Sequence, residues 1–333
     1  YKPASKWKTF LEGDGIKDVY FTFENGYASW KKDANVETFA KLAIEHANKE
    51  NPVIEADYQQ PAPTATGGQT TSTVTFDSLP LGYYLVDSSA GSLCGLDTTA
   101  KEVTIEEKNG VPSVDKKVSN TQNGTYGTSN NASIGDTVYF QTIITAQPGA
   151  QNYVLHDKMT DGLTFNNKVE VKKGESPVAT SYYTLKTSDF NDDCTFEIVF
   201  GQTFCDDLQK DEKITVTYSA TLNENAVIAG DGNKNETWLK YGENNNLETT
   251  HPTTDTKTFE MNVFKFYKDK KNSDKEAGLA GAVFTLSKNE NGTNPIKLID
   301  KGSNTYRVAK TGEAGTVTTI TSPESGKFTI QGL

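Results

Sequence analysis

The sequence is poor in arginine, cysteine and histidine, and each shortage excludes a class of function. Arg307 is the one arginine among 33 basic residues, so bidentate recognition of phosphate groups is disfavoured. Acidic residues outnumber basic ones and give a formal net charge of -11, which repels nucleic acid. Three cysteines and three histidines are too few for a disulfide scaffold or for a multi-ligand zinc site. We therefore predict no nucleic-acid partner, no metal and no cofactor.

Long apolar runs are also missing. No segment approaches the roughly 18 consecutive apolar residues of a membrane-spanning helix. No stretch has the charged start and apolar core of a signal peptide. If the chain is secreted, its targeting segments have been removed.

Short segments of alternating apolar and polar residues are abundant, and clusters of Gly, Asn and Asp separate them. This pattern is typical of stacked β-sandwiches. The predicted strands are Thr71–Phe76, Thr137–Thr145, Thr195–Phe200, Lys213–Leu222, Glu260–Phe266 and Gly281–Leu286. Helices are predicted only in the N-terminal third, over 36–47 with Asp33 or Asn35 as N-cap, and over a shorter stretch from Trp7 to Leu11. We expect both helices to cover one face of a sheet.

Two changes in composition suggest domain boundaries. A turn signal at Lys108–Pro112 precedes a new strand, and a Thr/Asp/Pro stretch at Thr250–Lys257 separates two β-rich regions. The predicted domains are therefore 1–111, 112–257 and 258–333. The last is short for a sandwich, so we expect it to be C-terminally incomplete.

One lysine and one asparagine are predicted to point into the core of the second domain. Strand alternation places Lys116 on the same face as Val114 and Val118. If that face is buried, the pKa of Lys116 falls and the side chain becomes a neutral, nucleophilic amine. Asn235 shares a strand face with Leu239, so its carboxamide is expected in the same core.

Two neighbouring residues remain alternatives for these roles. Lys117 is the competing nucleophile, although strand parity disfavours it. Asn233 is the competing acceptor, although it lies further out in a turn rich in Asp, Gly and Asn. A β-bulge would reverse either choice.

Several segments, taken in order, are similar to one known family. They are Leu79–Val86, Leu96–Thr99, Ile134–Val138, Asp157–Phe165, Asn235–Tyr241 and Gly278–Leu286. The chain resembles the major shaft pilins of Gram-positive bacteria, which are sortase-assembled proteins of Cna-type immunoglobulin-like domains with Lys–Asn isopeptide crosslinks. The resemblance implies a mainly β fold of tandem immunoglobulin-like β-sandwich domains. The N-terminal pilin domain would have short helices, the middle domain would be CnaA-like and the third CnaB-type.

The resemblance also implies a role for each site residue. Asp157 lies where the family has a protonated acid, so Lys116 would attack the carboxamide of Asn235 while Asp157 moves the proton and one ammonia leaves. An Asp near a strand end is otherwise a turn-former. The family's reactive lysine of the third domain corresponds to Lys265. We expect no crosslink there, because the acid and the acceptor cannot be placed in this chain.

A further lysine is implied for polymerisation. The family joins the C-terminal threonine of one subunit to a lysine that ends the N-terminal domain. Val103–Asn109 matches that strand and places the lysine at Lys108, although Glu106 and Glu107 replace the family's Tyr-Pro pair. An exposed strand-end lysine beside two glutamates remains the alternative.

The remaining cysteines and histidines give weak signals. Cys194 and Cys205 could pair across a short excursion of the chain, but unpaired thiols are favoured. His156 points to the opposite strand face from Asp157 and is expected at the surface. The acidic segment Asp189–Asp193 lacks an ordered ligand spacing, so we interpret it as a solvated loop rather than a calcium site.

These observations predict a structural subunit of a covalently polymerised pilus shaft that supports adhesion and is stabilised by a self-formed crosslink. Its expected partners are other pilin subunits, a pilus sortase and host surface ligands. Its expected location is extracellular, as a surface fibre attached to the cell wall. We predict that it is not an enzyme, since no catalytic constellation appears. The alternative is a cell-wall-anchored adhesin that binds a host protein or glycan through similar domains. Such an adhesin would be expected to have an extra ligand domain or a groove of exposed aromatics.

Overall fold

A computed structural model describes most of the chain, and its internal contacts define two compact units, residues 1–109 and residues 110–333. The described residues are 2–47, 54–60, 74–80, 82–88, 91–95, 111–147, 151–242, 245, 247–272 and 275–333. The predicted boundary at residue 111 lies close to the division between the units. The predicted boundary at residue 257 lies inside the second unit and remains a prediction.

The first unit combines short helices with two β-hairpins. Its elements are α1 (Lys8–Leu11), α2 (Lys17–Tyr20), β1 (Phe21–Glu24), β2 (Tyr27–Trp30), α3 (Val36–Ala47), β3 (Tyr84–Ser88) and β4 (Gly91–Gly95). Helix α3 covers the predicted residues, and Asn35 caps it because its Oδ1 accepts a hydrogen bond from the Thr38 amide at 2.9 Å. Within the predicted strand Thr71–Phe76, residues 74–76 are not in a strand, and 71–73 lie outside the described residues.

Aromatic side chains form the core of the first unit. The ring of Phe39 on α3 packs edge-on against the rings of Phe21 and Trp30, with 5.1 Å between centroids in each pair. Phe10 of α1 packs against the same Phe39 ring. The helices therefore cover the β1–β2 hairpin, as the amphipathic pattern predicts.

The second unit begins with a two-sheet sandwich. Its strands are β5 (Ser113–Ser119), β6 (Ser129–Asn131), β7 (Thr137–Thr145), β8 (Val154–Met159), β9 (Leu163–Lys173), β10 (Ser176–Pro177), β11 (Tyr183–Lys186), β12 (Phe196–Phe200), β13 (Lys213–Leu222), β14 (Asn233–Tyr241), β15 (Leu247–Glu248) and β16 (Thr253–Lys257). A short helix, α4 (Gln202–Asp206), follows β12. Strands β7 and β13 coincide with the predicted ranges, and β12 begins one residue later than predicted.

Strand order places the two sheets around one apolar core. The first sheet has the order β10-β9-β13-β7-β5, which makes β5 an edge strand. The second has the order β11-β12-β8-β14-β16-β6, with β8 and β14 adjacent at its centre. Burial alternates along all of β7 and β13, so one face of each strand fills the core.

The stretch Thr250–Lys257, in which composition suggests a boundary, contains strand β16. This strand pairs antiparallel with β14 and parallel with β6. Strand β14 is therefore followed by another strand of the same sheet, although its sequence resembles the closing strand of the family's middle domain.

The remainder of the second unit is a set of shorter strands. They are β17 (Glu260–Phe264), β18 (Phe266–Asp269), β19 (Lys275–Gly278), β20 (Val283–Phe284), β21 (Leu298–Asp300), β22 (Thr305–Val308), β23 (Ile320–Thr321) and β24 (Lys327–Gln331). The strand predicted over 260–266 is divided at Lys265, and the one predicted over 281–286 is shortened to β20. Leu298 and Phe328 belong to the same apolar cluster as the sandwich core. No described helix is long and apolar enough to cross a membrane.

Candidate functional site

Strand β5 buries one lysine of a Lys-Lys pair and exposes the other. The Lys116 side chain has no solvent exposure, whereas the Lys117 side chain is 40% exposed and lies 3.2 Å from the Asp115 carboxylate. The alternation predicted from Val114 and Val118 therefore holds through this strand. Lys116 enters the core from the edge of the first sheet.

Lys116 meets a carboxyl group and a phenol inside the core. Its Nζ donates a hydrogen bond to Asp157 Oδ2 at 2.6 Å, and the Asp157 side chain has no exposure. Nζ also contacts the hydroxyl of Tyr218, and that hydroxyl donates to the same Asp157 oxygen. Tyr218 comes from β13 of the first sheet and Asp157 from β8 of the second, so this contact joins the two sheets.

Asn235 completes the cluster from the strand beside Asp157. In the β14–β8 register Asp157 lies opposite Thr237, two residues along β14 from Asn235, so both side chains point into the core. Asn235 is fully buried, and its Nδ2 donates to the Tyr218 hydroxyl at 3.3 Å. The structure therefore brings Lys116, Asp157 and Asn235 together around Tyr218.

Asn233 is buried as well, but its amide group holds a loop in place. Its Oδ1 accepts a hydrogen bond from the Val227 amide at 2.9 Å, and its Nδ2 donates to the carbonyls of Val227 and Thr256. A Cβ at Gly162 would come within 2.1 Å of Asn233 Oδ1, so glycine is required at that position. Both ends of the Asn233 amide are thus engaged away from Lys116.

Burial drives both ionisable groups of the cluster toward their neutral forms. Desolvation lowers the pKa of Lys116, and the Asp157 charge opposes this only in part. Desolvation likewise raises the pKa of Asp157, against the opposing effects of Lys116, Tyr218 and Asn235. A neutral amine beside a protonated carboxyl group is the arrangement that nucleophilic attack on an amide needs.

Two oxygen atoms in the cluster are buried without a hydrogen-bond partner. They are Oδ1 of Asp157 and Oδ1 of Asn235. A buried acceptor without a donor is costly, and the cost is larger for a charged carboxylate. This arrangement adds to the preference for protonated Asp157.

Aromatic rings surround the amine and exclude water from it. Lys116 Nζ lies 5.0 Å from the ring centroid of Tyr218 and 5.4 Å from that of Phe140. Phe196 packs edge-on against Tyr218 at 5.0 Å and stacks on Phe165 at 4.3 Å. The low polarity of these rings is the physical source of the desolvation.

Tyr218 is a site residue that sequence reasoning did not identify. It alternates inward along β13 with Val216 and Ala220, as its burial shows. Tyrosine is common in half-buried strands, so its position gave no chemical signal. Only the three-dimensional meeting of β13 with β8 and β14 shows what its hydroxyl contacts.

His156 was expected at the surface, and this expectation is wrong. His156 is only 4% exposed, and its ring stacks on Trp238 with 5.1 Å between centroids. Strand parity did place it on the outer face of β8, but that face is covered. Asp192 of the predicted solvated loop lies against it, with Oδ2 3.1 Å from Nδ1. Cys194, from the same loop, and Cys205 are both buried free thiols.

The two other lysines with predicted roles lie apart from this cluster. Lys265 is half-buried between β17 and β18, and its backbone amide donates to the Gly326 carbonyl at 2.8 Å. Among the described residues no hydrogen bond or ion pair of its amino group is found. Lys108 lies outside the described residues.

Comparison with known proteins supports the assignment of the sandwich. Residues 134–245 match the family model of the Gram-positive pilin backbone subunit 2, Cna-B-like domain. This range includes Asp157, Tyr218 and Asn235. The model describes a Cna-B-like domain, whereas the sequence resemblance suggested a CnaA-like one. No curated protein matches the chain.

Several solved structures of major pilins are similar in fold. The 35 kDa C-terminal fragment of the major pilin GBS80 of Streptococcus agalactiae shares 20% identity over 67% of this chain and 80% of that one, with a TM-score of 0.49. The major pilin BcpA of Bacillus cereus shares 17% identity over 67% and 56%, with a TM-score of 0.45. The T6 backbone pilin of Streptococcus pyogenes shares 17% identity over 66% and 45%, with a TM-score of 0.44. The chain thus spans about half the length of the latter two.

The fold is mainly β, and residues 134–245, about a third of the chain, are similar to the Cna-B-like domain of Gram-positive pilin backbone subunits.

Proposed function

We propose that the chain is a structural subunit of a Gram-positive pilus shaft and that it crosslinks itself once, by an isopeptide bond between Lys116 Nζ and the side-chain carbonyl carbon of Asn235. The observation that supports the proposal best is the 2.6 Å contact between Lys116 Nζ and Asp157 Oδ2 in a site without solvent exposure. Asn235 shares the Tyr218 hydroxyl with that pair. All of the chemistry takes place within one chain and happens once, so the protein is not an enzyme with turnover.

The reaction begins with the neutral amine of Lys116. Nζ attacks the carbonyl carbon of Asn235 while protonated Asp157 donates its proton to the carbonyl oxygen, which gives a tetrahedral intermediate with a positively charged Nζ beside the Asp157 carboxylate. Asp157 then moves a proton from Nζ to the departing nitrogen. The old C–N bond breaks and one ammonia leaves, while the hydroxyl of the intermediate returns its proton to Asp157 and the carbonyl of the new amide forms. Asp157 ends in its original protonated form.

The hydroxyl of Tyr218 positions the reacting groups. It contacts Nζ of Lys116, Oδ2 of Asp157 and Nδ2 of Asn235. A shared contact of this kind holds the nucleophile, the acid and the leaving nitrogen near one another before reaction. Burial raises the pKa of Tyr218 well above its ordinary value, so the phenol stays protonated and acts as a donor.

The bond would reinforce an edge strand of the first sheet. Strand β5 is an edge strand with a single neighbour, β7, whereas β14 is held on both sides by β8 and β16. A covalent link from β5 to β14 joins the sheets across the core. Tension that enters the second unit at its first strand would then pass to the centre of the other sheet without breaking the β5–β7 hydrogen bonds.

For assembly, we propose that a sortase joins subunits head to tail through Lys108 and that the fibre is attached to the cell wall. The support is the similarity of Val103–Asn109 to the family's linkage strand and the backbone-pilin match. In cells that express the pilin and its sortase, Lys108→Ala should abolish sortase-dependent ladders. Lys101→Ala, which removes a neighbouring lysine, should leave the ladders intact. Ladders that persist in Lys108→Ala would exclude this lysine.

Intact-mass measurement tests the crosslink. The wild-type chain should be lighter than its sequence mass by one ammonia. Lys116→Ala and Asp157→Ala should restore the full mass, because each removes a group that the reaction needs. Lys117→Ala is the matched control, since it removes the exposed lysine of the same strand and should retain the deficit. A wild-type chain of full sequence mass would disprove the proposal.

A further inference from the structure

The outer face of β8 holds a second buried cluster, on the opposite side of the sheet from the crosslink. His156 of β8 and Glu197 of β12 lie directly opposite each other in the strand register. The loop before β12 folds over this pair and adds Asp192 and Cys194. One ligand atom from each of the four side chains lies within 4.8 Å of all the others.

Three of the separations between these atoms are within a few tenths of an ångström of those around a tetrahedral ion. Nδ1 of His156 lies 3.1 Å from Oδ2 of Asp192 and 3.4 Å from Oε1 of Glu197, and Sγ of Cys194 lies 3.9 Å from the same Oε1. Ligand atoms bonded to one zinc ion at about 2.0–2.3 Å lie roughly 3.3–3.7 Å apart. The four side chains could reach that geometry with small rotations.

The imidazole of His156 gives independent support for a ligand. Its side chain is 5% exposed, and among the described residues Nδ1 has no partner that meets hydrogen-bond criteria, although two carboxylate oxygens lie within ion-pair distance. A buried nitrogen without a partner is costly, and this one faces the point where the other donor atoms converge.

We propose that His156, Asp192, Cys194 and Glu197 bind one zinc ion. Imidazole nitrogen and thiolate sulfur are typical zinc donors, whereas calcium and magnesium prefer sites made entirely of oxygen. The ring of Trp238 stacks on His156 and holds its orientation. The low count of histidines and cysteines led us to predict no zinc site from the sequence, and this proposal differs from that prediction because Asp192 and Glu197 supply two of the four ligands.

Charge and protonation in the cluster fit a divalent cation. Zinc binds cysteine as the thiolate, so binding releases the proton of the Cys194 thiol. The three negative charges of a thiolate and two carboxylates exceed the +2 charge of the zinc ion by one. Lys240, 3.1 Å from Asp192, and Lys186, 3.8 Å from Glu197, offset the remainder.

Metal titration of the purified chain tests the site. After treatment with a chelator and dialysis, Co²⁺ should bind at one equivalent with a thiolate-to-metal charge-transfer band, and Zn²⁺ should displace it. Cys194→Ser should abolish the band and weaken Zn²⁺ binding more than about tenfold. Cys205→Ser, which changes the other buried thiol, should bind like the wild type. Absence of stoichiometric binding, or a band that survives Cys194→Ser, would overturn the proposal.

A second variant protects the test against failed folding. Asp192 is 25% exposed, so Asp192→Asn removes a ligand charge with little change in packing. It should retain the circular dichroism spectrum and still bind Zn²⁺ more than about tenfold more weakly. Wild-type affinity in this variant would remove Asp192 from the ligand set and contradict the four-ligand site. The ammonia deficit should persist in every variant, which separates this result from the crosslink.

Discussion

Asp157 and His156 are adjacent in strand β8 and both are buried, but they lie on opposite faces in different surroundings. Asp157 points between the two sheets, where aromatic rings and Lys116 enclose it. His156 points outward, where a polar loop and Trp238 cover it. On the inner face, burial favours the neutral forms of Lys116 and Asp157, which the proposed crosslink requires. On the outer face, the donor atom of His156 and those of the residues around it lie close enough together for the proposed cation site.

The comparison shows that the direction of a side chain and its burial are separate properties. Strand parity assigns the face, but the neighbouring loops decide whether that face meets water. Both faces of β8 are buried from Val154 to Asp157, which is unusual for a stretch with two consecutive ionisable residues. The predictions below test whether the two faces act independently.

The largest effect is expected on the inner face. Asp157→Asn keeps the size of the side chain but removes the acid, so the crosslink should not form. The loop of about 120 residues between Lys116 and Asn235 would then stay open in the unfolded chain. By analogy with disulfides of that length, the free energy of unfolding should fall by about 4–5 kcal/mol. Denaturant unfolding measures this loss.

The outer face supplies the control for that experiment. His156→Gln should keep the ammonia deficit, since His156 takes no part in the crosslink. If it lost the deficit, the two faces would be coupled and the separation drawn here would be wrong.

A smaller loss of stability is expected when the pH is lowered, through His156 on the outer face of β8. The pKa of His156 is lowered by burial from 6.5 to about 4, so the unfolded chain takes up this proton first as the pH falls. In metal-free protein its contribution to stability is fully present above pH 6.5 and is lost as the pH falls toward 4. The loss should be roughly 2–3 kcal/mol.

Urea unfolding at pH 7 and pH 4.5 measures this contribution as a difference between variants. His156→Gln should lose less stability than the wild type over that interval, because glutamine does not titrate. Equal losses in the two proteins would show that His156 is not the group responsible.

A kinetic effect is expected from the positioning tyrosine. Tyr218→Phe retains the ring but loses the hydroxyl that contacts Lys116, Asp157 and Asn235. Crosslinking should proceed to completion but about 10–100-fold more slowly, because the acid and the nucleophile remain. Intact mass of freshly synthesised protein, followed over time, gives the rate. A wild-type rate would show that the hydroxyl is a bystander.

The smallest effect is expected at the exposed lysine of β5. Lys117 pairs with Asp115 at the surface, and such pairs contribute little. Lys117→Ala should change the free energy of unfolding by less than about 0.5 kcal/mol. A loss comparable with that of Asp157→Asn would mean that strand parity had selected the wrong lysine.

Sequence reasoning predicted the inner face better than the outer one. Alternation of Val114 and Val118 was enough to place Lys116 in the core, and the same rule placed Asn235. Asp157 required the resemblance to the pilin family, since an aspartate near a strand end has several ordinary roles. Tyr218 was missed because an inward tyrosine on a strand looks like any other core residue.

The outer cluster could not have been predicted from local pattern. Strand parity correctly placed His156 on the outer face of β8. The prediction that it is exposed was wrong because a residue on the outer face of a sheet can still be covered by a loop. The covering loop contains Asp192 and Cys194, more than thirty residues further along the chain. Long-range contacts of this kind leave no periodic signal in the sequence.

Peptide mapping of the wild-type chain by tandem mass spectrometry tests the central claim most directly. The account predicts one branched peptide that joins the segment containing Lys116 to the segment containing Asn235, with the combined mass reduced by one ammonia. Linear peptides with unmodified Lys116 and Asn235, or a branch that involves Lys117 or Asn233, would contradict it.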